Sequence, residues 1–185
     1  MSSAREKLLS TALQLFIQEG LQSVGIDKVI KVSGVSKMTL YKYFPSKDNL
    51  IEEALNLYHQ QIIMELQQCL MGAPPVLEQQ LMLLLNWYRS RFMGPDPRAC
   101  LFVSAANIYP DTDHPVHRVC LLHKVTLIDL LAHLLTAFGY DNGSVLALQC
   151  LIVFEGAQNL TAIGVSEAPI DAATAAIMML LKAHQ

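Results

Sequence analysis

Apolar positions recur at three- and four-residue spacing along almost the whole chain, and glycine and proline cut that pattern into helix-length segments. Leu8, Leu9, Ala12, Leu13, Leu15 and Phe16 share one face of a first helix that Gly20 stops. Ser2 or Ser3 can cap its start, and Glu6 stands at the capping-box offset from Ser3. A short second segment, 26–33, follows Gly25, turns Ile26, Val29 and Ile30 the same way and breaks at Gly34. Ser36 opens a third, with Leu40 and Phe44 inward at i and i+4, and Pro45 and Ser46 end it. Ser46 is placed to cap a long helix over 47–69.

Gly72, Pro74 and Pro75 mark a loop, after which the pattern predicts a helix over 76–92. Gly94, Pro95 and Pro97 interrupt it before an apolar segment, 99–108, and a loop, 109–115. A long helix over 116–138 ends in Gly139, Asp141, Asn142 and Gly143, and the last two, 144–163 and 170–183, are parted by Gly164 and Pro169. Nothing alternates with period two for long enough to make a sheet. The expectation is an all-α fold of about nine helices, with a three-helix N-terminal domain over 1–49 and a larger helical domain over 50–185.

Composition adds a surplus of apolar surface: 52% of residues are hydrophobic and only 16% charged. The uninterrupted apolar runs, 81–85, 150–154 and 175–181, fall well short of the roughly eighteen residues a spanning helix needs. The N-terminus is polar and lacks the pattern of a secretory signal. A cytoplasmic chain with no membrane partner is expected, its surplus apolar surface going into a subunit interface. Cys69, Cys100, Cys120 and Cys150 are scattered without a C-x-x-C pair, which fits small core hydrophobes better than disulfides or a zinc site.

The net charge of −3 is unevenly placed. Residues 1–49 hold seven basic groups against four acidic ones, a net of +3, and residues 50–185 hold six against twelve, a net of −6. A basic head on an acidic body is the asymmetry of a protein whose head alone meets phosphate.

Two short helices joined through a glycine form the local pattern of a helix-turn-helix. Gly34 can take positive φ at the turn, and Val29, Ile30, Val35, Leu40 and Phe44 supply the contacts that cross the helices. Ser36 caps the recognition helix. Lys37, Met38, Thr39, Tyr41, Lys42 and Tyr43 point outward, with donors, cations and aromatic rings suited to phosphates and base edges.

The run Gly34-Val35-Ser36-Lys37-Met38-Thr39-Leu40-Tyr41-Lys42-Tyr43-Phe44-Pro45-Ser46-Lys47 resembles, without a gap, the recognition region of TetR-family repressors, and the likeness extends over residues 5–50. It implies a homodimeric repressor that binds double-stranded operator DNA and is released by a small-molecule inducer. A ligand-independent repressor or an activator of the same fold is the alternative. By the same resemblance, DNA contacts fall to Ser36, Lys37, Met38, Thr39, Tyr41, Lys42, Tyr43 and Lys47, the last on a phosphate. Two positions depart from the family. Gly25 stands where a capping Ser or Thr is usual, and Met38 where a small residue is common.

The body carries no strong short motif. The resemblance implies that the last two helices pair with their copies across a two-fold axis as a four-helix bundle. Leu146, Cys150, Val153, Phe154, Ala157 and Leu160 make one candidate face for it, and Ala173, Ala176, Ile177, Leu180 and Leu181 the other; both also suit an intramolecular core. Candidate inducer-lining residues are Trp87, Tyr88, Phe92, Phe102, Asn107, His117, His123 and Glu155. Glu155 is the most telling, because a carboxylate in so apolar a neighbourhood needs a partner, a proton or a ligand. The loop 109–117 holds two Asp and two His that could ligate a divalent metal. The plainer reading is that Asp111 or Asp113 caps the next helix with Pro115 in its first turn, and no cofactor or metal is expected. No nucleophile, base and orienter group together, so catalysis has no support.

Overall fold

The first helix forms because both of its ends are satisfied locally. Glu6 N–H donates to Ser3 Oγ at 3.2 Å, Ser3 N–H donates to Glu6 Oε2 at 2.9 Å, and Gly20, at φ +83°, closes the other end. In the computed structural model, residues 3–92, 100–165 and 168–184 are described, excluding the side chains of Phe92 and Ala168. These residues form nine helices and no strand: α1 Ala4–Glu19, α2 Ile26–Ser33, α3 Lys37–Tyr43, α4 Lys47–Leu70, α5 Leu77–Phe92, α6 Leu101–Ile108, α7 Pro115–Ala137, α8 Gly143–Ala162 and α9 Ala168–Lys182. The all-α expectation holds, with helix ends within two residues of the pattern.

By contacts the chain divides into two compact units, Met1–Ile62 with Leu101–Leu122, and Ile63–Cys100 with His123–Gln185. The compositional boundary at residue 49 lies inside α4, so the charge division and the packing division are different things. In the first unit α1 packs on α2 and α3. Leu8, Ala12, Phe16, Val24, Leu40, Phe44, Leu50 and Leu55 are almost wholly buried there. In the second, Leu81, Leu85, Leu135, Tyr140, Leu146, Cys150, Ile177 and Leu181 form one cluster. Gly143 starts α8 where a Cβ would lie 3.0 Å from the Ala132 carbonyl, so its lack of a side chain admits a close backbone approach.

Two expectations need correction. The α7 cap is neither Asp111 nor Asp113. His114 directly precedes Pro115, its carbonyl accepts the Arg118 N–H, and its Nδ1 accepts the Val116 N–H at 3.3 Å. Asp111 instead closes a turn on Asp113 N–H, and Asp113 pairs with Arg118 at 2.9 Å. The second correction concerns the proposed subunit face. Leu146, Cys150, Ala157, Ala173, Ile177 and Leu181 are buried within the chain's own core, and Val153, Phe154 and Leu180 pack partly buried against it. Only Leu160 and Ala176 of that set are exposed. Both sides of α8 are apolar, so the sequence period alone selects no single inward face.

By length and composition alone α7 and α8 are apolar enough to cross a membrane. Part of that apolar surface goes into the core cluster, to which α7 gives Leu135 and α8 gives Leu146 and Cys150, and α8 also packs against α9.

Candidate nucleic-acid interface

The turn between α2 and α3 is built by backbone chemistry. Gly34 sits at φ +67°, ψ +16°, a left-handed conformation that glycine adopts without a Cβ penalty, and its N–H donates to Ile30 O at 2.9 Å. Two residues on, Ser36 Oγ accepts the Thr39 N–H at 3.1 Å and lies 2.8 Å from Thr39 Oγ1, so α3 starts from a fully engaged cap. Gly25 begins α2 without a side-chain cap, as its missing hydroxyl requires. Val29, Leu40 and Phe44 are buried and Ile30 and Val35 half-buried, which holds the two helices crossed.

With Leu40 anchored inward, the other side chains of α3 face away from the core. Met38 is 83% exposed, Tyr41 45% and Tyr43 38%. Lys37 is exposed and bonds Asp27 at the start of α2, 3.1 Å away. That hydrogen bond and the charge of Asp27 raise the lysine pKa, keeping it cationic. Lys42 Nζ lies 5.8 Å from the centre of the Tyr43 ring. Lys47 is half-buried at the start of α4, which Ser46 caps through the Asn49 N–H at 3.0 Å. Ser36 and Thr39 are partly used up in capping, so the cations and donors that this face offers are Lys37, which also bonds Asp27, Lys42, Lys47 and the tyrosine hydroxyls. Exposed methionine and tyrosine do nothing for folding here. Placed among three lysines, they form a surface that can neutralise phosphate and touch base edges.

The other candidate residues fall in both units. Phe102 is buried and stacks on Tyr58 with ring centres 5.5 Å apart, Asn107 is exposed, and His117 Nδ1 lies 2.8 Å from the Tyr109 carbonyl; all three belong to the first unit. Trp87, Tyr88, His123 and Glu155 belong to the second, and the Phe92 side chain lies outside the described residues. Trp87 Nε1 donates to Glu65 Oε2 at 3.1 Å, and Arg91 grips both oxygens of Glu65. These residues line a cleft of about 530 Å³ with Gln68, Cys69 and Ser90.

Glu155 has the partner its setting demands. Lys124 Nζ lies 2.5 Å from Glu155 Oε1 and 3.2 Å from Cys100 Sγ. Burial lowers the lysine pKa, but Cys100 and Glu155 together outweigh it and raise the net value. Tyr88 donates to Gln158 Oε1 at 2.8 Å, and burial with the charge of Glu155 pushes its phenol far above the usual range. His123 is buried. The sequence reading missed Lys124, Glu65 and Arg91. A signal existed for Lys124, the only cation in the apolar stretch 119–137 apart from histidine.

Comparison with known proteins bears on the whole arrangement. The family of bacterial regulatory proteins called tetR matches residues 8–54. Over 169 residues the chain is 27% identical to the HTH-type transcriptional regulator YjdC of Escherichia coli, covering 91% of this chain and 88% of that protein. It is 38% identical over 68 residues to the HTH-type transcriptional regulator LmrA of Bacillus subtilis, 36% of each chain. Among solved structures, a TetR-family transcriptional regulator from Streptomyces coelicolor matches with a TM-score of 0.89 at 28% identity, over 98% of this chain and 95% of that one.

Proposed function

Because the chain belongs to the tetR family of bacterial regulatory proteins and is a DNA-binding helix-turn-helix regulator, we propose that it acts as a homodimeric repressor released from its operator by a small molecule. The observation that carries this reading is the outward face of α3. Lys37, Met38, Tyr41, Lys42 and Tyr43 are exposed, contribute no core, and stand on a helix locked in place by Leu40 and Phe44. In this reading residues 1–49 are the DNA-binding domain, residues 50–185 sense the inducer and dimerise, and Ser36 and Thr39 set the helix start that aims the rest.

Self-association is supported by the exposed side of the last two helices. Val145, Leu148, Ile152 and Leu160 fall at helical spacing along α8, with Ile163 at its C-cap, and Met179 with exposed alanines, Ala172, Ala175 and Ala176, does so on α9. Gly156 lies within the α8 stripe, and a Cβ there would meet nothing within 4 Å. A second copy is the occupant that suits this uncharged stripe, and two-fold pairing matches a pseudo-palindromic operator with half-sites about 34–36 Å apart. For the inducer, the cleft beside Trp87 is of a size that small-molecule sites have. A cytoplasmic location follows from the role.

Fluorescence anisotropy with duplex DNA from upstream of the coding gene tests the reading. Affinity should fall steeply with salt, and Lys37→Ala combined with Tyr41→Ala should weaken binding about a hundredfold. Binding that ignores salt or survives the double substitution would sink it.

A further inference from the structure

The segment between α6 and α7, with two Asp and His114, has no part in the DNA-facing surface described above, yet Tyr109 within it is bonded to three helices. Its N–H donates to Ala105 O at 3.0 Å and so continues the last turn of α6. Its carbonyl accepts from His117 Nδ1, 2.8 Å away in the first turn of α7. Its hydroxyl donates to Asp48 Oδ1 at 2.7 Å, in the first turn of α4. His114 stacks on the phenol ring, with centres 4.5 Å apart and 23° between planes, and its Nε2 lies 3.9 Å from the other Asp48 oxygen. Since His114 Nδ1 accepts the Val116 N–H, the proton of the neutral ring sits on Nε2, facing Asp48. All these residues lie in the compact unit that also holds α1, α2 and α3.

Asp48 directly follows Lys47, and Ser46 caps the turn both occupy. A carboxylate there favours the helix start, but a free one repels phosphate beside the lysine that should bind it. Tyr109 hydrogen-bonds that carboxylate, and His114 stacks on the Tyr109 ring beside it. Burial and the Asp48 carboxylate hold the Tyr109 phenol far above its usual pKa, so it remains a donor throughout the neutral range. The surrounding loop is itself tied, by the Asp111 turn and by the Asp113–Arg118 pair. The bond therefore joins two ordered elements and not a loose side chain to a helix.

We propose that Tyr109 is a positioning residue of the DNA-binding head. By holding Asp48 it sets the first turn of α4, and Lys47 with it, against the junction of α6 and α7. The proposal rests on the reading of the protein as a DNA-binding regulator whose Lys47 meets phosphate, and it adds a residue outside the DNA-facing surface that positions that contact.

The test uses the full chain and the tightest duplex that the wild-type protein selects from a randomised pool. Affinity, its salt dependence and the melting temperature are measured for Tyr109→Phe in three backgrounds: wild type, Asp48→Asn and Asp48→Ala. Tyr109→Phe should weaken binding about fivefold, the size of one lost hydrogen bond, at a temperature where circular dichroism shows every variant folded. The same change should cost a similar factor in Asp48→Asn, whose amide oxygen still accepts, and nothing further in Asp48→Ala. Equal effects of Tyr109→Phe in the Asp48→Ala and wild-type backgrounds would overturn the proposal and leave DNA binding intact. So would an affinity loss that only tracks a fall in melting temperature. Failure of the wild type to select any duplex would overturn the underlying reading instead.

Discussion

The head and the α8–α9 pair both expose large apolar side chains, but in different company. On α3, Met38, Tyr41 and Tyr43 stand among Lys37, Lys42 and, at the next helix start, Lys47. On α8, Val145, Leu148, Ile152 and Leu160, with Ile163 at the C-cap, run along a helix whose one charged residue, Glu155, is turned to Lys124. Apolar surface mixed with cations fits a charged, stacked polymer with methyl groups in its groove. Apolar surface without charge fits only more of its own kind. The contrast is the ground on which two different partners are proposed for one chain.

The largest effect should come from the part both readings presuppose, the core that holds α3 in place. Phe44 is fully buried, and Phe44→Ala should cost about 3–5 kcal/mol in chemical denaturation, with loss of DNA binding. A cost under 1 kcal/mol would mean that α3 is not held by this packing. The double substitution Lys37→Ala with Tyr41→Ala sharpens the comparison from the other side. It should lose about a hundredfold in affinity while the melting temperature moves by no more than about 2 °C, because these side chains support no core.

Within the body, Glu155→Ala should cost about 2 kcal/mol, since it strands the largely buried Lys124 ammonium, and Glu155→Gln should cost less. Because the folded-state pKa of Lys124 is raised, the stability this pair contributes is fully present below the unfolded lysine pKa of about 10.4. It is lost only as pH rises through the folded value. The deficit of Glu155→Ala should therefore stay constant between about pH 6 and pH 9 in equilibrium unfolding. A deficit that grows or vanishes inside that window would place the coupling elsewhere. The smallest effect on the isolated chain belongs to the α8 stripe. Leu148→Ser with Ile152→Ser should change chain stability by less than about 1 kcal/mol, since both side chains are exposed, yet shift sedimentation from dimer to monomer. A wild-type chain that sediments as a monomer at micromolar concentration would break the comparison.

The regions also differ in how much of them the sequence disclosed. Helix order, the Ser3 capping box, the Ser36 cap and the Gly34 turn were all legible, as was the division of α3 into inward Leu40 and outward Lys37, Met38 and Tyr41. The exposed side of α8 and α9 was not: most of the residues chosen for a subunit face there belong to the chain's own core, and the exposed apolar stripe is made largely of others. The expected inducer set likewise divides between two units. Trp87 borders a cleft, whereas Phe102 and His117 serve packing and a backbone hydrogen bond.

The reason lies in the range of the interactions. Caps, turns and the faces of an amphipathic helix are decided by residues three or four apart, so a single stretch of sequence carries them. A helix apolar on both sides carries no preference for which side turns in, and the choice is made by what packs against it. Lys124 meets Glu155 across 31 positions, and Tyr109 meets Asp48 across 61. By itself the sequence determined an all-α chain of about nine helices with a basic helix-turn-helix pattern near residues 26–44. Only the tertiary structure decided which apolar surface stays open, where the buried carboxylate finds its cation, and that the loop after α6 holds the first turn of α4.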